Sequence, residues 1–381
     1  MSIDWVLVAE FQYDLGFLGG GQLARMSIQA AQRMGLKCLS LDPGKDTPAS
    51  QIADAIQGRL DDPEKIAEVL RRCQHVTLEN EFIPAVAIQE AFKIAGVKPD
   101  KLVPNVETLA AIQDKLLQRQ ALRQAGVPSP KAAALTEKGE EALEIIGFPM
   151  VLKARFGGYD GKGTRYARTI DEFERLHSEW GPGGWLAEEF VPFKRELAVM
   201  VFISEWGAGT FPTMETVQEN HVCDLVYPAH FDASGIAMAA IEALGGNGLF
   251  GVELFQLENG ECLVNEIAPR PHNTGHYTLD WGAASQFEQH VRTVMGFPNA
   301  STEDHLPVCM ANLLGVEGAF NLHQSLNRAL EDPQVRVHWY GKAEMKPGRK
   351  MGHINVVGHT GQENQELIER ALKARDRFWN R

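Results

Sequence analysis

The chain has 381 residues, 44% of them hydrophobic, and carries 37 Lys and Arg against 50 Asp and Glu, a formal charge of −13. This length suits two or three domains with a sizeable core, and the acidic balance opposes nonspecific attraction to nucleic acid or anionic membranes. Five scattered cysteines (Cys38, Cys73, Cys223, Cys262 and Cys309) lack zinc or disulfide spacing. With neither a bilayer-length apolar run nor a secretory signal pattern, a reduced cytoplasmic setting is expected.

Taken in order, Trp5 to Ala9 reads as a short strand, ahead of a stronger one at Leu15 to Leu18 that feeds Gly19-Gly20-Gly21. An amphipathic helix from Gln22 to Met34, a strand from Lys37 to Leu41, another from Val76 to Leu78 and a helix from Pro84 to Ala95 complete a βαβ-type, Rossmann-like N-terminal domain, residues 1–105. A helix over Val106 to Gln124 opens the second domain, 106–305, and the extended Val127-Pro128-Ser129-Pro130 connector leads into a smaller lid at about 130–185. Phe148 to Ala154, Gly184 to Phe190 and Arg195 to Ser204 read as strands. Leu249 to Gln256 and Cys262 to Ile267 flank Glu258-Asn259-Gly260 as a hairpin. Strands at Val335 to Tyr340 and Gly352 to Val357, with a charged helix from Glu363 to Arg377, suggest a small β-rich C-terminal domain, 306–381. The fold class is thus mixed α/β and α+β.

Gly19-Gly20-Gly21 between strand and helix suits either a phosphate cradle or a plain tight turn, and Asp42 either a ribose acid or a loop cap. More specific is Lys153 on a strand, followed by the glycine-rich run Gly157 to Thr164, whose order matches neither a Walker loop nor a kinase loop and suits a phosphate lid. Glu188 and Glu189 end a strand whose backbone can meet a nucleobase, and Glu196 lies where an acid can hold ribose hydroxyls. Glu253 and Glu266, on the two hairpin strands, can converge as hard ligands for Mg²⁺. The stiff loop after them presents Arg270, His272, Asn273 and His276, a composition suited to anion chemistry. Lys342, Lys346, Arg349 and Lys350 then concentrate positive charge, fitting a phosphate monoester.

In this order the motifs GGYDGKGT (157–164), VNEIAPRPHNTGH (264–276) and HWYGKAEMKPGRKMGH (338–353), with the weaker GGGQLARM (19–26) and LDP (41–43), resemble the ATP-grasp superfamily. Within it they closely resemble the 5-(carboxyamino)imidazole ribonucleotide synthetases. The resemblance spans about Leu15 to Val357 and implies a Rossmann-like domain, an ATP-grasp domain with a glycine-rich lid, a small C-terminal domain and a homodimer. It implies ATP contacts from Lys115, Lys153, Gly158, Tyr159, Asp160, Gly161, Lys162, Gly163, Thr164, Glu188, Glu189, Phe190, Val191 and Glu196, and Mg²⁺ on Glu253 and Glu266 beside Asn265. Glu81, Tyr159, Asp160, Lys342, Arg349 and Lys350 would bind aminoimidazole ribonucleotide. Arg270, His272 and Asn273 would face bicarbonate and the carboxyphosphate made from it, with Lys153 balancing phosphoryl charge. Ala24 and Lys115 stand where the family usually has glycine and arginine. His272 is the expected proton carrier, since an imidazole exchanges protons near neutral pH.

The activity implied is ATP-dependent carboxylation of the ribonucleotide's amine in purine biosynthesis. The competing readings are another ATP-grasp carboxylate–amine ligase, such as a formate-using purine transformylase, a nicotinamide oxidoreductase, and a noncatalytic nucleotide sensor. The paired HWYGKAE and PGRK segments speak against the first, the unexplained stretch Lys153 to His276 against the second, and joint retention of Lys153, Glu253 and Glu266 against the third.

Overall fold

The computed structural model describes residues 11–136, 139–158, 163–180, 183–303 and 305–381. The expected strand at Trp5 to Ala9 and the lid residues Tyr159, Asp160, Gly161 and Lys162 lie outside them.

The first sheet is parallel. β1 (Tyr13–Leu18), α1 (Gln22–Arg33), β2 (Cys38–Asp42), β3 (Asp54–Gln57), α2 (Pro63–Arg72), β4 (Cys73–Leu78), α3 (Ala85–Ala95) and β5 (Leu102–Val103) build a sheet of order β3-β2-β1-β4-β5. Strands covered on both faces read as continuous apolar runs, and Leu15, Phe17 and Leu18 of β1 are buried. β3 and α2 escape the apolar-run pattern because β3 has one buried residue in four. Local chemistry still starts α2: Asp62 accepts from the amides of Glu64 and Lys65, and Pro63 occupies its first turn. The carboxyl ends of β1, β2 and β4 deliver Gly19, Asp42 and Glu79 to one crevice, the position from which doubly wound sheets bind ligands.

The helix expected over Val106 to Gln124 is two, α4 (Val106–Gln113) and α5 (Lys115–Gln124), broken at Asp114. Asp114 has extended backbone and its carboxylate accepts from the amides of Leu116 and Leu117, so it caps α5. The same carboxylate holds Arg155 through Nε at 3.0 Å and Nη2 at 2.5 Å. The break therefore ties the start of α5 to the strand that enters the lid.

The lid sheet is antiparallel, ordered β6-β9-β7-β8, from β6 (Ala132–Ala134), α6 (Glu140–Ile145), β7 (Met150–Ala154), β8 (Thr164–Ala167), α7 (Ile170–Trp180) and β9 (Trp185–Glu189). It encloses its own apolar cluster, with Leu135, Leu152, Phe173 and Leu176 buried.

The largest sheet takes β10 (Arg195–Ser204), β11 (Gly207–Thr210), β12 (Met214–Glu219) and β13 (Val222–Pro228), then α8 (Ser234–Leu244), β14 (Gly248–Gln256) and β15 (Cys262–Ala268). A 3-10 turn (Asn273–Leu279) and α9 (Gln286–Met295) precede β16 (Val308–Leu314), α10 (Leu322–Ala329), β17 (Val335–Trp339), β18 (Lys350–Val357) and α11 (Asn364–Trp379). Its strand order is β15-β14-β10-β12-β13-β16-β18-β17, with β11 on β10. The C-terminal strands are not a separate sheet: Leu225 and Val226 of β13 pair with Ala311 and Met310 of β16. Sequence separation hides this junction, because nothing local marks a pairing across more than 80 residues.

Candidate active site

A cleft of about 1630 Å³ runs between the lid, the crevice of the first sheet and one face of the large sheet. Of the nucleotide residues expected from the sequence, Lys153, Thr164, Glu188 to Val191 and Glu196 line it, together with Glu253 and Glu266, Arg270, His272 and Asn273, and the basic C-terminal loop; Lys115 does not.

At its centre is a buried ionic chain. Glu188, at the end of β9, is 2% exposed and holds Arg119 at 2.7 Å and Lys153 at 2.6 Å. Burial by itself would raise the pKa of Glu188, but the two cations outweigh it and hold the carboxyl down at about 2. Burial also lowers Lys153, although Glu188 partly opposes it. Arg119 donates further to the carbonyls of Val264 at 3.0 Å and Asn265 at 2.6 Å, fixing the strand that ends in Glu266. Sequence reading missed Arg119. Its signal was spacing: it lies four residues after Lys115 on α5, so both cations share one helix face, from which Arg119 meets Glu188 and Lys115 meets Glu266.

Glu253 and Glu266 are directly opposed in register across β14 and β15, and both line the cleft. Lys115 reaches Glu266 at 3.1 Å, and Lys153 approaches Asn265 Oδ1 at 3.4 Å. Burial raises Glu266 but Lys115, then Lys153, outweigh it, so the carboxylate stays ionised. Glu196 on β10 has its carboxyl pushed up to about 7 by burial. Glu189 accepts from the Lys131 amide at 2.9 Å, its own amide donates to the Lys131 carbonyl, and Val191 is buried beside the exposed Phe190. Thr164 also lines the cleft.

Arg270 and Glu81, 189 residues apart, form a two-pronged pair at 2.5 and 2.7 Å. His272 follows on a loop pressed against β14, where a Cβ on Gly251 would come within 2.5 Å of His272 Cβ. His272 Nδ1 is 2.9 Å from Thr274 Oγ1 and 3.9 Å from Glu253. Burial, then Arg270 and Lys350, push its pKa well below the usual imidazole value. The proton-exchange argument from an ordinary imidazole pKa therefore does not transfer: a neutral ring here donates or accepts hydrogen bonds. Asn273 pairs with Asn312 and also lines the cleft. His276 does not reach it; the ring is fully buried against Gln286, Phe287 and His353.

In the C-terminal loop, Lys342 Nζ donates to the Lys350 carbonyl at 2.6 Å and Arg349 to the Glu344 carbonyl at 2.8 Å. Gly315 lets this loop close onto β16, since a Cβ there would lie 2.2 Å from the Lys346 carbonyl oxygen. The glycine turn after β1 gives a different answer from a phosphate cradle: Gly20 N–H donates to Asp42 at 2.9 Å and Leu23 N–H to Glu79 at 3.4 Å. Acids of the chain's own strands take those amides. Asp42 also accepts from Gly44, the loop-capping alternative.

Matches to known proteins follow the same division. Residues 13–113 match a ribonucleotide synthetase preATP-grasp domain, 120–287 an ATP-grasp domain and 308–367 a phosphoribosylaminoimidazole carboxylase C-terminal domain. The N5-carboxyaminoimidazole ribonucleotide synthase of Synechococcus elongatus is 39% identical over 380 residues, covering 96% of this chain and 95% of that protein. The phosphoribosylaminoimidazole carboxylase of Ogataea methanolica is 38% identical over 91% of this chain, which spans only 66% of its length. The Aspergillus clavatus N5-carboxyaminoimidazole synthase, solved with ADP and 5-aminoimidazole ribonucleotide, superposes with a TM-score of 0.85 at 32% identity, covering 96% of this chain and 99% of that one. No described helix is long and apolar enough to cross a membrane. The buried cations, the paired acids and the basic loop thus stand on the architecture of these enzymes, and the chain belongs to the N5-carboxyaminoimidazole ribonucleotide synthase family of ATP-grasp ligases.

Proposed function

We propose that the chain joins bicarbonate to the amine of 5-aminoimidazole ribonucleotide at the cost of ATP, through carboxyphosphate, giving 5-(carboxyamino)imidazole ribonucleotide, ADP and phosphate for purine synthesis. The observation that carries this reading is the meeting, in one cleft, of a phosphate-balancing group (Lys153, Glu253, Glu266), the Arg270 loop and the basic loop at Lys342 to Lys350.

Three of the expected cations hold protein carboxylates: Lys115 on Glu266, Lys153 on Glu188 and Arg270 on Glu81. Incoming anions replace or extend these pairs, so the charges are already oriented and need little reorganisation when phosphoryl charge develops. Lys153 and Lys115 face the transferring phosphoryl group. Glu196 takes the ribose, and the segment Glu188 to Val191 the adenine edge, with Gly158 to Thr164 closing over the phosphates. Two opposed carboxylates beside the Asn265 amide are hard oxygen donors of the kind that would suit a divalent cation. Glu253 and Glu266 would hold Mg²⁺, which when bound would supply charge neutralisation to the triphosphate.

Arg270 holds the bicarbonate-derived anion, with the neutral His272 and the Asn273 amide as hydrogen-bond partners. Closure of the lid keeps water from the anhydride until the substrate amine attacks it. Glu81, Tyr159 and Asp160 orient the aminoimidazole, while Lys342, Arg349 and Lys350 bind its phosphate. The enzyme acts in the cytoplasm as a homodimer, which light scattering of the purified protein reads directly.

ADP release with ATP, Mg²⁺ and bicarbonate, compared with and without the ribonucleotide, tests the activity. Strong stimulation with an acid-labile carboxylated product is expected. Stimulation by formate and a formylatable ribonucleotide instead would replace this reading by the transformylase.

A further inference from the structure

Asn312 lies in the middle of β16, wholly buried, in a strand whose neighbouring residues Cys309, Met310, Ala311 and Leu313 are apolar and buried. A buried amide in an apolar strand is costly unless its donors and acceptor are matched. Here they are. Its Nδ2 donates at 2.7 Å to the carbonyl of Cys223 on β13 and at 2.6 Å to Asn273 Oδ1, and its Oδ1 accepts from Asn273 Nδ2 at 3.1 Å.

This set has one consistent orientation. A backbone carbonyl only accepts, so the Asn312 end facing Cys223 must be the NH₂ group. Its oxygen and second N–H are then turned to Asn273, head to tail. Flipping Asn273 by half a turn would set NH₂ against NH₂ and oxygen against oxygen, losing both bonds of the pair. The pair uses one of the two Asn273 amide hydrogens, and the other points away from it. Asn273 lines the cleft beside Arg270 and His272.

We propose that Asn312 is a positioning residue: through the Cys223 carbonyl it fixes which end of the Asn273 amide faces the cleft, so that an N–H is presented to the bicarbonate-derived anion. The inference rests on the proposed role of Asn273 and names the group that sets its polarity. Without Asn312 nothing in this set holds the Asn273 amide with its donor toward the cleft, and a correctly aimed donor to an ionic ligand is worth about tenfold or more in affinity.

The test is a double-mutant cycle read on steady-state ADP release with aminoimidazole ribonucleotide, varying bicarbonate and ATP separately. Asn312→Leu is expected to lower kcat/KM for bicarbonate about tenfold or more and to leave KM for ATP unchanged. The double variant Asn273→Ala/Asn312→Leu should be no worse than Asn273→Ala, because Asn312 acts only through that side chain. Additive losses, or an equal loss toward both substrates, would overturn the proposal. If Asn312→Leu does not fold, Asn312→Asp carries the same cycle: it keeps the shape and accepts from Asn273, but its carboxylate donates neither to Asn273 Oδ1 nor to Cys223. Absence of ribonucleotide-stimulated release by the unmodified protein would remove the reading beneath it. Stimulated release with additive losses removes only the role given to Asn312.

Discussion

Replacing Glu188 by Gln removes one negative charge from between two buried cations, and the structure sets the size of the effect. Glu188 is held at about 2 against an ordinary 4.5, a depression worth roughly 3 kcal/mol of folding free energy at neutral pH. Arg119, with 5% of its side chain exposed, and Lys153, with 18%, would then share a neutral amide. Breaking one partner out of a buried ion pair typically costs about 3–5 kcal/mol, in agreement. The sign of the pH dependence follows from the depressed pKa. The contribution is fully present above the unfolded value and is lost as pH falls through the folded one. Urea unfolding of the parent and Glu188→Gln should therefore differ by roughly 3 kcal/mol at pH 7, with no change down to about pH 5.5, and the gap should close by roughly 2 kcal/mol at pH 3. A gap below about 1 kcal/mol at pH 7, or one that persists undiminished into acid, would refute the claim that charge compensation at Glu188 holds this part of the cleft together.

Gly251→Ala drives a methyl group into the His272 side chain at 2.5 Å, so AIR-dependent ADP release should fall by about a hundredfold while ATP binding, read by equilibrium titration, persists. Glu253→Gln and Glu266→Gln should each raise the Mg²⁺ concentration for half-maximal turnover by about tenfold or more; an unchanged Mg²⁺ titration would exclude both as ligands. Arg349→Ala, on an exposed loop, should raise KM for the ribonucleotide by about tenfold without altering KM for ATP or thermal stability. Loss of stability there would mean that its bond to the Glu344 carbonyl is structural instead.

Much of the site was legible because its chemistry is written in short runs. Lys153 before the glycine loop, Glu253 and Glu266 on two strands of one hairpin, and Arg270, His272 and Asn273 on one stiff loop are local patterns, and the structure brings them to one cleft. The reading failed where the decisive partner is distant. Arg119 was passed over because its importance lies in Glu188, 69 residues away, and in two carbonyls of β15. The break at Asp114 was invisible because the helical pattern runs through it, and only Arg155, 41 residues on, shows what the cap is tied to. The ordinary pKa of imidazole misled for His272 because burial, which no single residue type encodes, decides its charge.

The sequence by itself determined the fold class, the order of its motifs and the kinds of group the cleft contains, because periodicity, turn chemistry and motif spacing are short-range properties. Only the tertiary structure decided which charge compensates which, that the C-terminal strands continue the central sheet through β13 and β16, and that the glycine turn holds Asp42 and Glu79. Those outcomes depend on contacts between residues far apart in the chain, where desolvation and exact approach, rather than residue type, set the energy.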